Sequence, residues 1–122
     1  MKVEGITWHA VVVPPEKFAA QRDFAINTLG LTIFMEMDQM IALSMPNGSM
    51  YEIYTPATVP PYGYNGNLAY GWRVDDVEAA SKELAAAGNE LLGEINRFPE
   101  LKYAFRHFRA PDGLVYGINE QK

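Results

Sequence analysis

Cysteine is absent from this 122-residue chain, which excludes a disulfide framework, a thiol nucleophile and thiolate metal sites. Positive charge is scarce: 10 Lys and Arg stand against 15 Asp and Glu, a formal net charge of −5. A surface of that sign repels a phosphate backbone, so no nucleic-acid partner is expected. No apolar run approaches the ~20 residues that a membrane-spanning helix requires. Pro and Gly interrupt the longest uncharged stretches, and no membrane partner is expected. The opening Met1-Lys2-Val3-Glu4-Gly5 carries an acid and leads into no long apolar segment, unlike a secretory signal. The expectation is a single soluble, cytoplasmic, globular domain. With 48% apolar residues, its core needs neither disulfides nor a structural metal.

What the chain does contain is a repeat. Pro46-Asn47-Gly48-Ser49-Met50-Tyr51-Glu52-Ile53 and Pro111-Asp112-Gly113-Leu114-Val115-Tyr116-Gly117-Ile118 share the pattern P-[ND]-G-x-[MV]-Y-x-I. Asn-Gly and Asp-Gly tolerate positive φ and turn tightly, so each copy should end as strand, turn and second strand. The halves before these hairpins match as well. Residues 6–13 are β-rich and apolar, Pro14-Pro15 opens a helical stretch over about 16–29, and Gly30 stands where a left-handed C-cap is wanted. In the second copy a strand over 68–74 leads through Asp75-Asp76, either of which can cap, into a helix over about 77–87 closed by Gly88. Val77, Ala80, Leu84 and Ala87 form its apolar stripe. Strands are expected over 31–37 and 40–45 in the first copy, and over 91–95 and 103–109 in the second.

The chain is therefore read as α+β, with two βαβββ modules in tandem over about 5–55 and 68–120. Residues 56–67 link them, carrying Pro56, Pro60, Pro61, Gly63 and Gly66 and two tyrosines, Tyr62 and Tyr64. Each module would bury one sheet face under its helix. The other faces would then form a curved mixed sheet around a shared cleft.

Three short segments extend the pattern: Phe24-Ala25-Ile26-Asn27-Thr28-Leu29-Gly30-Leu31, Val74-Asp75-Asp76-Val77-Glu78-Ala79 and Ala110-Pro111-Asp112-Gly113. In this order, with the repeat, the sequence resembles the vicinal oxygen chelate superfamily over nearly its full length. That superfamily includes glyoxalase I, bleomycin-resistance proteins and extradiol dioxygenases. The resemblance implies the paired-module fold and a homodimer, but no single chemistry, because the fold hosts metal enzymes, isomerases and metal-free binding proteins.

In metal-dependent relatives the ligands stand on the first and last strands of each module. The residues at positions resembling these are His9 and Glu52 in the first module, and Ala69 and Gly117 in the second. The repeat independently aligns Glu52 with Gly117. Neither Ala69 nor Gly117 offers a donor atom, and a catalytic first-row metal takes at least three protein ligands in most sites. No cofactor is therefore expected. A divalent metal remains possible only at a displaced site of His9, Glu52 and His107. Strand alternation puts Phe105, His107 and Arg109 on one face, and the position matching His107 binds substrate in fosfomycin-resistance relatives.

Glu52 shares its face with Met50 and Tyr54, and a carboxylate there needs a partner. His9 could supply it, making a general acid–base pair; Arg73, aimed at the same cleft, is the other candidate. The expected site thus has His9 and Glu52 as its catalytic or polar centre. Met50, Tyr54, Arg73, Phe105, His107 and Arg109 are its ligand-binding wall. Two functions fit: a bleomycin-resistance-like protein that binds a small organic molecule, or a glyoxalase-like lyase or isomerase that moves a proton through His9 and Glu52. A ring-cleaving dioxygenase fits less well, since two of its three iron ligands fall on Ala69 and Gly117.

Overall fold

A computed structural model describes residues 1–122. The chain runs β1 (Val3–Val12), α1 (Pro15–Asp23), β2 (Thr32–Met37), β3 (Met40–Ser44), β4 (Met50–Tyr54), β5 (Leu68–Val74), α2 (Val77–Ala86), β6 (Glu90–Phe98), β7 (Tyr103–Arg109) and β8 (Val115–Gln121). The fold is α+β, and the βαβββ order occurs twice. Pairing is mixed, with β5 and β8 parallel and both hairpins antiparallel. No helix is long and apolar enough to cross a membrane.

Two compact units divide the chain. The first unit is His9–Ala69, and the second joins Met1–Trp8 to Tyr70–Lys122. The first unit orders its strands β2-β3-β4-β1 and the second orders them β1-β5-β8-β7-β6, β1 giving residues to both.

In the first unit, alternation along β3 and β4 sends Ile41, Leu43 and Ile53 to one face, where they are fully buried with Ala25. Val11, Phe18, Leu31 and Tyr51 pack against them. Burying side chains of this size contributes about 1.5–3 kcal/mol each. Pro15 occupies the first turn of α1, where its missing N–H has no partner to lose. The stretch expected to be helical over 16–29 changes character partway. After Asp23 the backbone widens into one π turn, Phe24–Thr28, with the Leu29 N–H donating to the Phe24 carbonyl at 3.0 Å. Gly30 follows at φ +72°, the left-handed stop its sequence position suggested.

The second unit buries Val74, Val77, Ala80, Phe108, Tyr116 and Ile118 beneath α2. Asp76 caps this helix, its carboxylate accepting the Ala79 N–H at 3.0 Å. The neighbouring Asp75 accepts instead from the Lys2 N–H at 3.2 Å. Glu120 adds a second acceptor for the helix start, at 2.8 Å from the Val77 nitrogen.

The repeat is reproduced residue for residue in the hairpins. Ala42 lies opposite Glu52 in β3–β4 as His107 lies opposite Gly117 in β7–β8, and Met40–Tyr54 matches Phe105–Asn119 in the same way. Their turn glycines agree too, Gly48 at φ +85° and Gly113 at φ +83°. The two modules thus place their polar groups on different strands of the same hairpin: a carboxylate on β4 in one, an imidazole on β7 in the other.

Close backbone approach explains a further glycine. A methyl group on Gly71 would lie 2.2 Å from the Gly117 carbonyl oxygen and 2.8 Å from its Cα. Neither backbone atom can swing aside. Gly71→Ala is expected to destabilise the chain by about 2 kcal/mol through overpacking, lowering its melting temperature by roughly 8 °C. Thermal unfolding followed by circular dichroism reads this directly, and an unchanged midpoint would refute it.

Candidate functional site

The polar centre of the first unit is built on β4. Tyr51 and Ile53 pack with the α1 face of the sheet, so Met50, Glu52 and Tyr54 point to the opposite face. Glu52 is only 6% exposed there. Its Oε1 accepts a hydrogen bond from the Tyr54 hydroxyl at 2.5 Å, short and charge-assisted. The Tyr54 ring meets Tyr64 edge to face, centroids 5.4 Å apart. Burial first, then the Glu52 charge, pushes the Tyr54 phenol well above its ordinary range. Burial likewise raises Tyr64, and pushes Tyr62 up to about 12. These phenols therefore remain protonated at neutral pH, and Tyr54 is a fixed donor to the carboxylate.

His9 lies elsewhere. It lines a groove of about 370 Å³ with Phe24, Leu29, Leu31, Met45 and Tyr51, the last of which belongs to the α1 face. Its Nδ1 stands 3.3 Å from the Met50 carbonyl oxygen. A carbonyl only accepts, so Nδ1 carries the proton in this bond. The structure does not bring His9 to Glu52: the two occupy opposite faces of the first unit's sheet. Counting from the helices explains why. In β5, Val74 packs under α2 and Ala69 stands five residues before it. In the first module the equivalent residue packed on the α1 side is Val13, and five residues before it stands Trp8. A one-residue slip along a strand exchanges the faces.

Trp8 belongs to the second unit and is 4% exposed. Its indole stacks on the His107 imidazole, centroids 5.1 Å apart and planes inclined by 30°. The ring also covers Gly117. A Cβ on that glycine would lie 2.9 Å from Trp8 Cε3 and 3.1 Å from Cζ3. The absent side chain at Gly117 is thus the space the indole fills. His107 is 3% exposed, and burial drives its pKa down to about 4, so it is neutral at pH 7. Phe105 stands on the same face, its ring 5.2 Å from His107, as alternation required.

The remaining expected wall residues divide. Met50 is fully buried. Arg73 is half-buried on β5 at the level of Asn119, whose Oδ1 accepts from the Thr7 hydroxyl at 3.2 Å. Arg109 is committed at the end of its hairpin, paired with Glu90 at 3.1 Å and donating to the Gly113 carbonyl at 3.0 Å.

The donor set does not fit the metal centre that the resemblance implies. The Glu52 carboxylate faces a phenol, His107 faces an indole, and His9 lies behind β4 on the α1 side. No three His, Asp or Glu side chains converge anywhere in the chain as metal ligands would. Sequence reasoning named Glu52 and Tyr54 and noted Tyr64 in the linker, but did not place Trp8 beside His107. Counting back from Val13 as from Val74 is the signal that would have found Trp8.

No protein-family model matches the sequence, and no curated protein matches it. Solved structures do match. A Streptomyces coelicolor methylmalonyl-CoA epimerase variant in complex with 2-nitronate-propionyl-CoA is similar at a TM-score of 0.70 and 16% identity, over 98% of this chain and 99% of that one. Methylmalonyl-CoA epimerase from Mycobacterium tuberculosis aligns at 0.66 and 18% identity, over 98% and 89%. A glyoxalase/bleomycin resistance protein/dioxygenase superfamily member from Vibrio splendidus 12B01 aligns at 0.59 and 16% identity, over 98% and 100%. The chain has the vicinal oxygen chelate fold shared by these proteins.

Proposed function

We propose that this protein binds a small organic molecule at the Glu52–Tyr54–Tyr64 cluster, in the manner of the bleomycin-resistance branch and without the divalent metal its metal-dependent relatives hold. The observation that carries the reading is the Glu52 carboxylate, 6% exposed and held at 2.5 Å by a phenol donor. A buried anion flanked by aromatic rings favours a planar cation, which gains both charge pairing and ring contact. The net charge of −5 favours the same class of ligand. Calorimetric titration with proflavine, a planar aromatic cation, tests this. Saturable binding is expected, weakened about tenfold by Glu52→Gln, the effect of roughly 1.4 kcal/mol. Equal affinity of the two chains would contradict the reading.

A second reading rests on the same short hydrogen bond. A buried carboxylate beside a phenol can take a proton from carbon next to a carbonyl, the kind of step the epimerase neighbours' names suggest. In that case methylmalonyl-CoA incubated with the protein in deuterium oxide would exchange its α-hydrogen, and Glu52→Gln would abolish the exchange. The binding reading expects no exchange.

A further inference from the structure

A second groove, of about 460 Å³, lies in the second unit between α2 and the β6–β7 pair. Its origin is a break in strand register. Leu92 pairs with His107 and Asn96 with Phe105, so Gly93, Glu94 and Ile95 bulge opposite Arg106 alone. Gly93, at φ +69°, permits the bulge, and the Arg106 Nε donates to its carbonyl at 3.0 Å. Bulges of this kind re-aim side chains and concentrate next to functional sites.

Charge in the groove is unevenly matched. Arg97 and Lys82 share one acid, Glu78, at 3.3 and 3.9 Å. Arg106 has no carboxylate partner, and its bond to Gly93 uses only Nε. Counting Glu94 on the rim, three cations face two acids. The wall contributed by α2 contains Ser81, which is 3% exposed and whose hydroxyl finds no hydrogen-bond partner. Beneath these polar groups Leu91 and Ile95 provide an apolar floor. A buried hydroxyl without a partner is unusual in a folded chain, and here it lines the same groove as a guanidinium that has no carboxylate partner.

We infer that this groove binds a small monocarboxylate with a short branched apolar body. The carboxylate sits on the Arg106 guanidinium, whose two Nη groups suit a bidentate anion. Ser81 turns its hydroxyl toward the same anion, and the apolar body covers Leu91 and Ile95. This site is independent of Glu52 and of the function proposed above.

Amide chemical-shift titration of the full chain with isovalerate, and with its neutral counterpart isovaleramide, tests the assignment. Isovalerate is expected to move the amides of Ser81, Ile95 and Arg106 saturably at millimolar concentration, while isovaleramide binds about tenfold more weakly or not at all. Arg106→Gln should weaken isovalerate about tenfold and Ser81→Ala severalfold. Glu52→Gln should leave it unchanged. Equal binding of the acid and the amide, an unaltered affinity in Arg106→Gln, or no movement at these amides would overturn the proposal. If Arg106→Gln disturbs the bulge, the acid–amide comparison on the unaltered chain and the Ser81→Ala chain decide the matter.

Discussion

Trp8→Ala is expected to lower stability by about 4 kcal/mol, the usual loss when a buried tryptophan is truncated to alanine. The indole is 4% exposed, stacked on His107 and pressed against the bare α-carbon of Gly117. The coupling between Trp8 and Gly117 is the more specific part of this prediction. Gly117→Ala places a methyl 2.9 Å from a ring that has nowhere to retreat, and should cost about 2 kcal/mol on its own. In a Trp8→Ala background the same methyl enters vacated space, so its cost should largely vanish. Urea unfolding of the two single variants and the double variant gives the interaction energy, expected at roughly 1–2 kcal/mol. Strict additivity would mean that the ring does not occupy the place of the missing side chain.

His107 supplies the second large effect. In the folded chain its pKa is pushed by burial from the ordinary 6.5 to about 4. Between those values the unfolded chain takes up a proton that the folded chain refuses, so stability falls as pH drops from about 6.5 toward about 4. A shift of this size corresponds to about 3 kcal/mol at most. Below it this group makes no further contribution. Carboxylates titrate in the same region, so the informative quantity is the difference from His107→Phe, which keeps a ring against Trp8 but has no proton to bind. Stability at pH 7 and pH 4.5 should diverge more for the natural chain than for the variant by about 2–3 kcal/mol. Parallel pH profiles would show that His107 is accessible to protons in the folded state.

The outline of the fold was legible because its repeated elements have strong local causes. Asn47-Gly48 and Asp112-Gly113 prescribe tight turns, and the hairpins they join have identical register. Asp76 and Gly88 bracket α2, whose apolar stripe recurs at helical spacing. Glu52 was legible for a similar reason: it interrupts the apolar residues of β4 at a definite phase. The phase of β1 was not. Ala10 through Val13 are apolar on both faces, so no alternation of polar and apolar residues decides whether Trp8 or His9 takes the side opposite the helix. Only the packing of Val11 and Val13 under α1 settles it. The π turn at Phe24–Thr28 was equally hidden, since residues compatible with an α-helix accept the wider turn when tertiary packing favours it. Tyr64 lies in a stretch rich in Pro and Gly without periodicity, so alternation could not show that its ring meets Tyr54.

Trp8 beside Gly117, and His9 on the far side of β4 from Glu52, are the grounds for the proposal that this vicinal oxygen chelate fold works without a bound metal. Metal content tests this most directly. Tag-free protein would be incubated with nickel, zinc, iron or manganese, freed of excess ion, and measured beside His9→Ala and Glu52→Gln. The account predicts far less than one ion per chain in all three. Near one ion per chain in the unaltered protein, lost in either variant, would contradict it.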